Sequence, residues 1–388
     1  MDFNFYIPTK IIFGIGEFSK IKHLEMPGKK ALIVISFGNS VKKNGYLAKL
    51  EEQLNKMGIK HVIYDKVLPN PTKTNIMEAS QVLKDNNCDF IIGFGGGSCI
   101  DAAKAIGIMA NNEGDLWDYF TSGSGKGKAI KNLPLPVVTI TTTAGTGSEA
   151  NPFMVITNTD TKEKMGFASD CTFPYLSIVD PELTRSIPSN LSTFQGFDAL
   201  FHSVEGYLNK KASPISDIFA IKSISLIGKS LVKVIRDGSN ISARADVSLA
   251  STLAGFVQAI SDCTSEHSIE HAMSGLHQNL PHGAWLIMIS KAYFTHFAHM
   301  DICEDRMKNM AGALGKKDVT SAMDFVDALD SLISDSGVCL AMSDYGIRKE
   351  EFEEIEQMAR VVGPRMFLGD PEPLTKEDVL QILNNSYL

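Results

Sequence analysis

Along the first half of the chain, hydrophobic positions switch between two spacings. "ALIVIS" (residues 31–36) is a short unbroken apolar run, the pattern of a strand buried on both faces. "YLAKLEEQLNKMG" then places apolar side chains at helical spacing and stops at Gly58. "HVIYDKV" returns to strand, "NIMEASQVLKDNN" to helix and "DFIIGFGGG" to strand. A helix follows near Ile100, and "PVVTITTT" is the next strand. Strand and helix in turn predict a parallel sheet with crossover helices. "MVITN" and "YLSIVD" add further strands.

After "DPELTRSIPSN" (residues 180–190) the texture changes. From about Leu191 onward no strong two-residue alternation occurs, and segments such as "SAMDFVDALDSLISDSG" and "EEFEEIEQMARVV" are amphipathic at helical period. The expected organisation is an α/β domain over residues 1–185 and an all-α domain over 186–388.

A length of 388 residues suits two domains. The formal charge of -8 argues against a nucleic-acid binder, whose footprint is a basic patch. No apolar run approaches the roughly 20 residues that span a bilayer, and the opening "MDFNFYIPTKIIFG" lacks the basic start and apolar core of a signal peptide. Six cysteines with no CxxC pair read as reduced thiols, which points to a cytoplasmic protein.

Two loops carry candidate binding chemistry. "GFGGGSCIDAAKAIG" (residues 93–107) follows a strand and opens a helix. Its glycines allow close backbone approach to a pyrophosphate, and the helix N-terminus offers free N–H groups. Ser98 can cap that helix or donate to a phosphate oxygen. The spacing matches neither GxGxxG nor GxxxxGK[ST], so a strand-to-helix turn that needs glycine for packing alone stays open. "TITTTAGTGSE" (residues 139–149) suits a nucleotide or substrate edge equally with an ordinary Thr-rich strand and turn.

Four of the nine histidines fall within residues 267–282, in "HSIEHAMSGLHQNLPH". His267 and His271 are four residues apart, as are Asp198 and His202 in "FDALFHSVEGY", so each pair shares one helix face. "HSIEH" is not HExxH, because Ser268 stands second and Glu270 is displaced, which removes the general base of a zincin protease. His282 follows Pro281, where a helix can begin. Three imidazoles and a carboxylate without thiolate would suit Fe²⁺ or Zn²⁺. Polar helices that only hydrogen-bond to one another are the alternative.

Taken jointly, "GGGSCIDAAK", "TTTAGTGSE", "DALFHSVEGY", "HSIEHAMSGLHQNLPHG" and the tail "GDPEPLTKEDV" resemble the iron-containing (group III) alcohol dehydrogenase family, as do "FNFYIPTKIIFGIGE" and "LPNPT". These motifs run in the family's order from end to end. The resemblance implies a Rossmann-like α/β domain and a helical domain, the dehydroquinate synthase-like fold. It also implies metal ligation by Asp198, His202, His267 and His282, and a positioning or proton-relay role for His271 beside the nicotinamide. His277 is left outside the ligand set. The family match further places Asn70, Gly96, Gly97, Ser98 and Asp101 at the dinucleotide, Thr142, Thr143 and Ser148 on its nicotinamide side, and Lys164 near the ribose. Asn151, Phe153, Phe256 and the segment near Val362 would face the substrate. The implied reaction moves a hydride between NAD(P)(H) and a short- or medium-chain primary alcohol or aldehyde, with Fe²⁺ or Zn²⁺ as Lewis acid. A homodimer is expected.

The dinucleotide's 2′ group is commonly read just after an early strand, where an acidic residue favours NAD. "FGNSVKKNG" (residues 37–45) contains none. Ser36, Asn39 and Ser40, with Lys42 or Lys43, could receive a 2′-phosphate, and the stretch resembles the NADP-using butanol dehydrogenase and aldehyde reductase branch. A glycerol dehydrogenase-like or dehydroquinate synthase-like reading fits the motifs less fully. A metal hydrolase leaves the glycine loop idle, and a nucleotide-binding regulator leaves the ligand set idle.

Overall fold

The apolar runs of the first half become a parallel sheet. In chain order the strands are β1 (Lys10–Phe13), β2 (Lys30–Ser36), β3 (Lys60–Val67), β4 (Phe90–Gly95), β5 (Val137–Thr141), β6 (Met154–Asn158), β7 (Glu163–Phe167) and β8 (Leu176–Val179). The computed structural model describes residues 3–38, 40–277 and 281–387. Six strands lie in the order β1-β8-β5-β4-β2-β3, every neighbouring pair parallel. The strand "MVITN" does not join them: β6 pairs antiparallel with β7 in a separate ribbon.

Helices α1 (Ser40–Lys43), α2 (Tyr46–Lys56), α3 (Lys73–Asp85) and α4 (Gly97–Asn111) fall between the first five strands. The central strands are buried along their length, as a sheet covered on both faces requires. Ile33, Ile35, Phe90, Ile92, Phe94, Val138, Ile140 and Ile178 share one core cluster. From β2 the chain moves outward to β3, whereas from β4 it moves the other way to β5. The strand order therefore reverses between β2 and β4. In open α/β sheets the crevice beyond the carboxyl ends of the strands at such a reversal is where ligands bind.

The second half is helical: α5 (Ser189–Leu208), α6 (Pro214–Arg236), α7 (Ile241–Ser261), α8 (Ser265–Leu276), α9 (His282–Ala298), α10 (Glu304–Ala313), α11 (Met323–Asp335), α12 (Phe352–Val362), α13 (Pro364–Gly369) and α14 (Lys376–Ser386). Among the described residues no strand follows Val179, and no helix is long and apolar enough to cross a membrane. The chain separates into a unit of Ile7–Thr143 with Gly147–Ser186 and a unit of Ile187–Leu388 with Met1–Tyr6 and Ala144–Thr146. Within the helical unit Phe5 stacks on Phe219.

Helix α5 is the axis of that unit. Phe197, Leu200, Phe201 and Val204 are fully buried in its core, each contributing about 1.5–3 kcal/mol of apolar burial. Asp198, His202 and Glu205 lie on the same helix and are equally buried. Buried polar groups need partners, and Glu205 finds one in His267 of α8.

Candidate metal centre and nucleotide loops

Asp198 and His202 sit one turn apart on α5, His267 lies in the first turn of α8, and His282 is the first residue of α9, directly after Pro281. Proline before the first turn fixes the entry of α9 and so the place of the His282 ring. One ligand atom from each of these four residues lies within 4.8 Å of all the others. The Nε2 atoms of His202, His267 and His282 stand 3.6, 3.7 and 3.4 Å from a single oxygen, Asp198 Oδ1. These separations are too long for hydrogen bonds. Asp198 Oδ1 and His267 Nε2 are buried without a hydrogen-bond partner.

A divalent ion about 2.1 Å from four tetrahedral ligands separates those ligands by about 3.4 Å. The donor set thus fits an ion that holds all four. Asp198 and His202 titrate as such an ion requires, whereas burial pushes His267 down but the fields of Cys263 and Glu205 hold it well above the usual imidazole value. Burial pushes the Asp198 carboxyl up, but the fields of His202, His282 and His267 outweigh it and hold the group at about 2. Burial pushes His202 down to about 3. A carboxylate and a neutral imidazole are the forms that bind metal.

Two acidic residues behind the ligands were not singled out as partners from the sequence. Glu205, seven residues after Asp198 on α5, accepts from Nδ1 of His267. Glu270 on α8 lies 2.5 Å from Nδ1 of His282 and accepts the Ser274 hydroxyl. A carboxylate on the far nitrogen fixes the tautomer that presents Nε2 to a metal. The i+7 spacing in "DALFHSVE" was the available signal for Glu205. His271 lies buried one turn beyond His267, its ring 5.8 Å from that of His282. His277 pairs with Glu351 at 3.4 Å and belongs to none of the metal-competent groups found among the described residues. Residues 278–280, which follow it, lie outside the described residues.

In the α/β unit, β4 runs directly into α4 through Gly96, which carries no side-chain cap. Ser98 does not cap the helix; its hydroxyl donates to the Pro69 carbonyl and ties the helix start to the loop that holds half-buried Asn70. Gly93 has a packing reason: a Cβ there would come within 2.9 Å of Ala103 Cβ. At Gly96 a Cβ would meet Thr143 Cγ2 at 2.9 Å. Thr142 N–H donates to the Gly95 carbonyl at 2.9 Å, so the two expected loops are joined at the carboxyl ends of β4 and β5. Gly96, Gly97, Thr142 and Thr143 are thereby brought together with the free N–H groups of a 15-residue helix.

Asp101 anchors the next loop. Its Oδ1 accepts the Ser148 hydroxyl at 2.6 Å and its Oδ2 accepts Val155 N–H at 2.9 Å. Lys104 lies in the same region, almost wholly buried. Its Nζ donates among the carbonyls of Ser148, Asn151 and Phe153 and the Ser148 hydroxyl, at 2.6–2.9 Å. Ser148, Asn151 and Phe153 thus belong to one internally bonded loop. Lys164 is buried on β7 opposite Thr157, and half-buried Phe256 packs edge-on against Phe219.

Ser36 ends β2 and Ser40 begins α1, while Asn39 lies outside the described residues. Lys42, expected to add positive charge here, is ion-paired with Asp65 of β3 at 2.5 Å.

A doubly wound α/β unit with a glycine turn at its reversal point and a helical unit with a buried three-histidine, one-carboxylate cluster define a metal-dependent, dinucleotide-type oxidoreductase. The family model "Iron-containing alcohol dehydrogenase" matches residues 8–181, and "Fe-containing alcohol dehydrogenase family, C-terminal" matches residues 193–387. The chain is 33% identical to the 1,3-propanediol dehydrogenase of Citrobacter freundii over 99% of each chain. It is 32% identical to the probable NADH-dependent butanol dehydrogenase 1 of Bacillus subtilis, again over 99% of each. A solved archaeal halo-thermophilic alcohol dehydrogenase from a Red Sea brine pool superposes with a TM-score of 0.93 at 32% identity, covering 100% of this chain and 99% of that one. This chain belongs to the iron-containing alcohol dehydrogenase family. It is an iron-type, NAD(P)-dependent alcohol dehydrogenase with the dehydroquinate synthase-like fold.

Proposed function

We propose that the protein interconverts short- or medium-chain primary alcohols and their aldehydes, with residues 1–185 binding the dinucleotide and residues 186–388 holding metal and substrate. The observation that carries this reading is the convergence of three imidazole Nε2 atoms, at 3.4–3.7 Å, on one orphaned carboxylate oxygen. Asp198, His202, His267 and His282 hold Fe²⁺, with Zn²⁺ a chemically equivalent occupant for this donor set. When bound, the ion supplies Lewis acidity to the substrate oxygen and the nicotinamide supplies the hydride acceptor or donor. The chain's own residues orient these groups and move the proton. His271, buried one turn from His267, is the candidate to accept or return it, because a neutral imidazole suits transfer near pH 7.

Gly96, Gly97 and the α4 N-terminus hold the pyrophosphate, with Ser98, Asn70 and Asp101 shaping the turn. Thr142, Thr143 and Ser148 line the nicotinamide side, and Lys164 lies toward the ribose. Asn151, Phe153 and Phe256 face the substrate. NADP(H) is the preferred cofactor, supported by the hydroxyls of Ser36 and Ser40, by Asn39 in the sequence, and by the absence of a carboxylate in residues 36–43. A second reading, NAD(H), is favoured by Asp65 beside Lys42 and by the NADH-dependent name of a relative. A short diol is a second substrate class, since another relative is named for 1,3-propanediol.

The test is oxidation of NADPH and of NADH with butyraldehyde, after metal removal and after anaerobic restoration of Fe²⁺ or Zn²⁺. Turnover should require metal, and kcat/KM should favour NADPH by at least about tenfold, about 1.4 kcal/mol. No turnover with any aldehyde in a small panel, by protein that still binds metal and nucleotide, would refute the substrate reading. A kcat/KM higher with NADH would refute only the cofactor preference.

The protein is further proposed to be a cytoplasmic homodimer. Six unpaired cysteines support a reducing compartment, and Phe3, Phe5, Tyr6 and Ile218, exposed in the helical unit, support a covered apolar face. Light scattering should give twice the 42.3 kDa chain mass; a monomer mass at micromolar concentration would reject the dimer.

A further inference from the structure

The tail motif "GDPEPLT" has no part in the chemistry described so far, yet Asp370 within it is fully buried. Its Oδ1 accepts Ser265 N–H at 2.8 Å and lies 3.0 Å from the Tyr293 hydroxyl. That hydroxyl is 2.9 Å from Thr264 Oγ1. Thr264 donates its own hydroxyl, at 2.9 Å, and its backbone N–H, at 2.8 Å, to Glu205 Oε2. The other oxygen of Glu205 meets Nδ1 of His267. Glu205, Thr264, Tyr293 and Asp370 are each at most 1% exposed.

These contacts converge on the first turn of α8. A helix start leaves free N–H groups that require acceptors. Thr264 stands at the N-cap position but gives no side-chain cap. Two carboxylates from other parts of the unit take that role, Asp370 on Ser265 N–H and Glu205 on Thr264 N–H, where the helix dipole favours negative charge. Tyr293 on α9 bridges the two sides. His267 is the third residue of α8 and His271 lies one turn further, so the orientation of both depends on this turn.

On the metal-centre reading above, we infer that Asp370 and Tyr293 are positioning residues: through Thr264 and Glu205 they fix the first turn of α8 and the ring of His267 toward the metal. A structural role alone would hold the fold and leave the coordination unchanged.

The experiment is Co²⁺ titration of metal-stripped protein, following affinity and the visible d–d spectrum, with thermal unfolding of the metal-free form alongside. Glu205→Gln should weaken Co²⁺ binding about 10–100-fold, as loss of a partner behind a ligand typically does. Tyr293→Phe removes only the bridging hydroxyl, and Asp370→Asn keeps the shape. Each should weaken binding at least about threefold and shift the d–d bands. Parental affinity and spectrum in both Tyr293→Phe and Asp370→Asn would overturn the proposal, whatever happens to unfolding. An effect confined to Glu205→Gln would overturn it too, leaving Asp370 a helix cap. If parent protein binds no Co²⁺, the metal-centre reading itself fails and this inference with it.

Discussion

His267→Ala will leave a protein that retains little metal and turns over at least about 10³-fold more slowly in kcat/KM. The estimate takes several kcal/mol of transition-state stabilisation from a bound Lewis acid, at 1.36 kcal/mol per tenfold in rate. On the proposed metal site, His267 links the ion to its support, its Nε2 lying among the other candidate ligands and its Nδ1 on Glu205. Alanine therefore removes one ligand and also leaves Glu205 without its imidazole partner, so added Fe²⁺ or Zn²⁺ should not restore the rate. Metal content per chain and kcat/KM with butyraldehyde measure both effects. The control is His277→Ala. His277 lies in the same histidine-rich stretch but pairs with Glu351 outside the cluster, and its variant should keep parental metal content. A His267→Ala protein with one metal per chain and kcat/KM within about tenfold of parent would show that the metal acts elsewhere or not at all.

What could be read along the chain depended on how local the cause was. β2 and β4 are apolar runs bounded by glycines or polar residues, β5 is rich in β-branched residues, and their burial on both faces writes those patterns directly. β1 is four residues at a sheet edge, and β7, "EKMGF", has no alternation and few strand-favouring residues. Neither strand has a local signature. The four residues of the candidate metal cluster were visible for the same reason as the strands: i, i+4 spacing on a helix is local, and Pro281 announces the start of α9. Their supports were less so. Glu205 is two turns from Asp198 and was open to the same arithmetic, but nothing local says that it meets a residue on another helix. Asp370 reaches Ser265 across 105 residues of chain. Asp65 enters the cofactor question only because β3 lies beside β2 in the sheet. A loop read alone gave no indication of it.

The same distinction between local and distant causes predicts the largest change in stability outside the metal centre. Lys104→Met should lower the stability of the α/β unit by about 3–5 kcal/mol, the range seen when one member of a buried charged set is removed. The ammonium carries three hydrogens, and the carbonyls of residues 148, 151 and 153 with the Ser148 hydroxyl surround it at 2.6–2.9 Å. Methionine has similar length and fills the space, so little of the loss would come from a cavity. It cannot donate, and it withdraws the positive charge whose field acts on buried Asp101 and Glu149. Burial pushes Lys104 down to about 8, against the pull of those two acids, so the ammonium predominates at neutral pH and its loss is felt there. At about 2–4 °C per kcal/mol for a unit of this size, the unfolding midpoint should fall by roughly 10 °C. Calorimetry of the metal-free protein reads this directly, and a fall of less than about 2 °C would mean that the loop holds without the lysine. Nucleotide binding should weaken in parallel, because Ser148, which Lys104 secures, lies in the same β5–β6 connection as Thr142 and Thr143.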